Sequence, residues 1–134
     1  MSAGVIIRVG DKASIFHSEG TRFLTEVATE LKDRDASFDF QRALMSGGTC
    51  EATAYQEFGF DAAAVCIALG NYHNCGKGFM IRPEYVSVQD ACGMVGLLKE
   101  AALRMKDYPA LIGKLKQRLE RLTCEALERL TEER

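Results

Sequence analysis

Two short stretches carry the residue types that do chemistry: Met45–Cys50 (MSGGTC) and Asn71–Asn74 (NYHN). In the first, Gly47 and Gly48 allow unusual backbone angles and close approach, and Thr49 opens a helix. The free N–H groups of such a helix start favour an anionic group or a developing oxyanion. The bland alternative, a Gly-Gly pair that merely makes a strand-to-helix turn, fits equally well. In the second stretch, His73 follows an apolar run, a placement suited to a metal ligand or a general base. A catalytic zinc takes about three protein ligands. The only other histidine, His17, lies outside any motif, and no HxH, HxD or HExxH pattern is present. Cys50, Cys75, Glu51 and Glu84 are the candidates to assist. Cys50, at the start of a helix, is placed either to react as a thiolate or simply to fit the turn. No histidine is placed as its base. Residue types alone reach an incomplete site.

These stretches need a frame. Val5–Val9 (VIIRV) reads as a strand closed by Gly10-Asp11. Phe23, Leu24, Val27, Ala28 and Leu31 are spaced as one helix face, with Ser18 or Thr21 as cap and Asp33–Asp35 as stop. Phe38–Leu44 alternates as a half-buried strand. A helix from Thr49 to about Phe58 ends at Gly59. The apolar run Ala62–Leu69 predicts a parallel strand covered on both faces. A weaker extended piece, 79–86, leads to a helix over Val88–Met105 capped by Ser87 with Asp90. Gly93 and Gly96 in that helix suggest close packing on the sheet. Pro109 opens a last helix with a stripe of Leu111, Leu115, Leu119, Leu122, Ala126 and Leu130. The expected fold is therefore a layered α/β/α domain with a mostly parallel sheet, residues 1–106, plus a long C-terminal amphipathic helix, 107–134. That helix is expected to pack on the same domain or on a partner, and its stripe points to a homo-oligomer.

The bulk numbers agree with one ordinary globular domain. A chain of 134 residues that is 47% hydrophobic can bury a core without staples. A net charge of −2 gives no reason to expect nucleic acid as a partner. No apolar run approaches a membrane span, and the N-terminus lacks the order of a signal peptide. Five cysteines without CxxC spacing read as reduced thiols in a cytoplasmic protein.

GGTCEATAYQEFGFDAAAVCIALGNYHNCG followed by PEYVSVQD resembles the C-terminal part of the catalytic domain of co-catalytic metal aminopeptidases. The resemblance is strongest to the glutamyl/deblocking aminopeptidases with their endoglucanase-M-like relatives, and it spans roughly residues 4–104. Gly47, Gly48 and Thr49 match that family's turn, His73 its last metal-binding histidine, and Glu84, Ser87 and Asp90 its acidic motif. GVIIRVGD is similar to the segment opening the second half of that domain. The resemblance implies half of a di-zinc peptidase catalytic domain and a peptide substrate. It also implies two divalent ions, zinc or cobalt, in the intact enzyme. His73 would be a metal ligand, and Gly47, Gly48, Thr49 and Tyr72 would bind substrate. No residue here matches the general base. Cys50 stands where the family has aspartate, Glu51 replaces a small residue, and Lys77–Arg82 looks inserted. The remaining ligands lie, in the family, before the segment matched by Val5–Val9. The expectation is a portion of a metalloaminopeptidase that does not hold both metals and does not hydrolyse peptides by itself. The competing expectation is a non-catalytic assembly or regulatory domain working through the C-terminal helix.

Overall fold

The computed structural model describes residues 3–132, and the chain forms two compact units, one ending at Leu103 and one beginning at Arg104. No described helix is long and apolar enough to cross a membrane.

The first unit is organised on strand β1 (Val5–Gly10), whose β-branched residues suit a pleated, buried position. Helix α1 (Ser18–Arg34) follows, then β2 (Phe40–Leu44), which pairs parallel to β1. The short helix α2 (Glu51–Glu57) leads to β3 (Ala64–Cys66), which pairs antiparallel on the other side of β1. A separate hairpin joins β4 (Leu69–Gly70) to β5 (Tyr85–Val86), and α3 (Val88–Leu103) closes the unit.

Side chains alternate across β1, so Val5 and Ile7 face one way and Ile6 and Arg8 the other. Val5 lies beneath Gly93 of α3, where an added Cβ would sit 3.4 Å from its methyl group. The α1 and α3 helices pack on each other and on β1. Both therefore cover the Val5–Ile7 face. Ile7, Phe16, Phe23, Val27, Ala28, Phe38 and Leu97 are core residues.

This corrects the expected layered α/β/α domain with a mostly parallel sheet. The sheet is small and mixed, in the order β2-β1-β3, with one parallel and one antiparallel pairing. Only Ala64–Cys66 of the Ala62–Leu69 run joins it. The physical reason lies in α2. Seven residues of helix rise about 10 Å, half the roughly 20 Å of six-residue β1. After α2 the chain turns at Gly59, in the left-handed region at φ 84°. The His17 N–H then bonds the Ala62 carbonyl at 2.9 Å. That contact lies beyond the carboxyl end of β1, so β3 enters there and runs back.

Two caps also differ from or refine expectation. His17, not Ser18 or Thr21, caps α1, its Nδ1 accepting from the Gly20 N–H at 3.4 Å. Ser87 does cap α3, its hydroxyl accepting from the Asp90 N–H at 3.2 Å.

The second unit is a short 3₁₀ turn, Met105–Asp107, and helix α4 (Tyr108–Glu132). Leu119, Leu122 and Leu130 of the expected stripe are exposed, as is Leu127. The side chains of Leu111 and Leu115 lie outside the described residues.

Candidate functional site

At the carboxyl end of β1 the chain builds a knot around Asp11, which is buried. One carboxylate oxygen accepts from the Ala13 and Ser14 N–H groups at 2.8 and 3.0 Å. The other accepts from the Cys50 N–H at 2.8 Å and the Thr53 hydroxyl at 2.6 Å. The Lys12 N–H bonds the Gly48 carbonyl and the Met45 N–H the Gly10 carbonyl, tying the glycine turn to the same knot. The Thr53 hydroxyl, with the amides of Cys50, Ala13 and Ser14, holds the Asp11 carboxyl well below the usual carboxylate range, against the opposing pull of burial. All this hydrogen-bonding capacity is spent internally, so Asp11 positions the turn and is not offered to a ligand.

A pH dependence follows. A depressed folded-state pKa contributes stability that is present above the unfolded value of about 3.9 and lost as pH falls toward the folded one. Asp11→Asn is expected to melt lower than wild type at pH 7, the gap narrowing on acidification below about pH 4. Thermal melts from pH 7 to pH 2 check this. A gap independent of pH would show that the Asp11 charge contributes nothing.

Gly47 and Gly48 sit in this turn, yet neither adopts a positive φ. A Cβ at Gly47 would meet nothing within 4 Å, and at Gly48 only the Met45 methyl at 3.8 Å. Thr49 precedes Cys50, the N-cap of α2, so the helix begins later than expected.

His73 lies elsewhere. Because β3 runs antiparallel to β1, its end at Cys66 faces Ile6, near the start of β1. The chain beyond it emerges at the edge opposite to the glycine turn. Tyr72–Asn74 forms a single 3₁₀ turn with Asn71, His73 and Asn74 at φ 52°, 57° and 58°. Asparagine tolerates that region; histidine there costs about 1–2 kcal/mol. Surrounding bonds hold it in place. The Glu84 carboxylate accepts from the His73 N–H at 2.7 Å, Asn71 Nδ2 donates to the Pro83 carbonyl, and the Arg82 N–H bonds the Asn74 carbonyl. The imidazole itself is exposed and rests against the Tyr72 ring, centroids 4.1 Å apart.

The structure thus brings His73 together with Tyr72 and Glu84, and separates them from Gly47, Gly48 and Thr49. Among the described residues no three His, Cys, Asp or Glu side chains are grouped as a metal would require. His17 is not an available ligand, since Nδ1 caps α1 and Nε2 lies 3.3 Å from Asp61. Sequence reasoning missed Asp11 and Arg8, although a charge inside VIIRV was a visible signal for the latter. No family model, curated protein or solved structure matches this chain.

Proposed function

We propose that this chain is a contributing portion of a metal-dependent aminopeptidase, supplying His73 as one ligand of a metal otherwise held by groups outside these residues. The carrying observation is the turn around His73. It holds an exposed imidazole in a left-handed conformation, and strain of that kind collects at functional sites. Around it Tyr72, Met80, Ile81 and Tyr85 are left exposed, Ile81 at 92%. Contiguous exposed apolar surface is where a further polypeptide binds. Bound metals would polarise a peptide carbonyl and activate water. This chain's part is to hold and orient one imidazole, with Glu84 fixing the backbone behind it and Tyr72 lining the approach. Gly47, Gly48 and Thr49 belong to the opposite edge and take no part at His73.

The chain has two histidines, which makes the test direct. Cobalt(II) added to the purified chain is expected to broaden the His73 ring resonances and leave those of His17 sharp. His73→Ala should abolish the effect without moving the melting temperature, because the loop is held by the backbone N–H. Equal broadening of both rings would remove His73 as a specific ligand. Turnover of an aminoacyl anilide by the 134-residue chain with zinc or cobalt would show that it is not merely a portion of the site.

One observation favours a second reading, an assembly domain. Leu119, Leu122, Leu127 and Leu130 are all exposed on α4, a longer helix than α1 or α3. Sedimentation of a chain ending before Tyr108 separates the two readings.

A further inference from the structure

Helix α4 carries an apolar face that is open to solvent. Leu119, Leu122, Ala126 and Leu130 follow one another in steps of three, four and four residues, which keeps them on one side of the helix. All four are exposed, Leu130 at 65%, and exposed Leu127 adjoins them.

The charges of α4 are sorted along its length rather than around it. Residues 109–119 hold Lys114, Lys116 and Arg118 and no carboxylate, a charge of +3. Residues 122–132 hold Glu125, Glu128 and Glu132 against the single base Arg129, a charge of −2. Between the two halves Glu120 and Arg121 cancel. The dipole of a lone helix favours the reverse order, acids near its start and bases near its end. No acid stands in the first turn of α4. Among the described residues its i,i+4 ion pairs join only Lys116 to Glu120 and Arg121 to Glu125. The sorting therefore does little for the isolated helix. Its match is a helix of opposite order, and α4 run backwards is such a helix.

We propose that α4 pairs antiparallel with α4 of a second copy of this chain, the basic half of each against the acidic half of the other. This rests on the assembly reading and names its partner. The boundary between the halves sets the register, with the two-fold axis at the level of Glu120 and Arg121. Leu119 then meets Leu122 of the second copy and Leu122 meets its Leu119, the self-complementary contact that two-fold symmetry requires. Arg118 and Glu125, seven residues apart, flank the leucine face on the same side. Reversal brings Arg118 of each copy beside Glu125 of the other, twice per dimer. A parallel pair would set base on base and acid on acid. A partner of one sign of charge would suit only half of the helix.

The test is sedimentation equilibrium of the full chain kept reduced, because Cys124 on the same helix is exposed. Wild type is expected to be a dimer that loosens as sodium chloride is raised, since opposite charges face each other. Arg118→Glu and Glu125→Arg should each weaken it about tenfold, two like-charge pairs replacing two opposite ones. The double variant, Arg118→Glu with Glu125→Arg, should recover wild-type association, which excludes misfolding as the cause of the single losses. An oligomer indifferent to both single reversals, or one whose double variant stays weak, would overturn the antiparallel pairing and leave the assembly reading standing. Association that tightens with salt would point to like charges facing each other and overturn it in the same way. A wild-type chain still monomeric at millimolar concentration would sink the pairing and the assembly reading together.

Discussion

Ile7→Ala is expected to lower the free energy of unfolding by about 2–5 kcal/mol, read as a loss of urea midpoint at unchanged slope. Ile7 is fully buried on the central strand, and its face of the sheet is the one that α1 and α3 cover. It sits beside Val65 on β3 and Arg42 on β2, so the strand cannot shift to refill the space without breaking both ladders. Truncation therefore removes the transfer energy of three carbons and leaves a cavity at the junction of both layers. A domain of this size is stable by only about 5–15 kcal/mol, so the variant retains a reduced margin at best. The control is Ile81→Ala, at 92% exposure, which should stay within about 0.5 kcal/mol of wild type. A loss below about 1 kcal/mol at Ile7 would show that β1 is not the centre of the core.

Local signals were readable because local physics decides them. The β-branched run of β1, the glycine stop after α2 and the Ser87–Asp90 cap each depend on residues within a few positions of one another. The direction of β3 depends on something else. An apolar run such as Ala62–Leu69 has the same composition whichever way it enters a sheet. Direction came from the length of α2 and from a single bond between His17 and Ala62, 45 residues apart in sequence. Reversing that strand carried His73 to the far edge and split an expected site in two. His73 itself was legible as a candidate, but its left-handed backbone was not, since only its flanking asparagines advertise that region. Arg8 was legible only as a charge in an apolar strand. That it lacks a partner is a fact of packing.

The glycines divide in the same way, and the division can be tested. Gly47 and Gly48 drew attention in the sequence, yet the chain's own packing asks little of them. Gly4 drew none, and it carries the constraint. It is buried at φ 84°, and an added Cβ would lie 2.0 Å from the Asp39 carbonyl oxygen and 2.7 Å from the Phe40 nitrogen. Those are backbone atoms at the point where β1 meets β2. Its N–H donates to Asp90 at 3.2 Å, and the next N–H, of Val5, donates to Asp39 at 3.0 Å. An alanine must push the Asp39–Phe40 peptide away and adopt a left-handed backbone, at about 1–2 kcal/mol for the conformation and about 1 kcal/mol for each bond lost. Gly4→Ala is thus expected to destabilise the first unit by about 3 kcal/mol. Gly47→Ala should be neutral or up to about 1 kcal/mol stabilising. Urea unfolding of both variants decides the matter. If Gly47→Ala proves the more damaging, the glycine turn is under a constraint that its own surroundings do not impose, and a role at an approaching ligand becomes its best explanation.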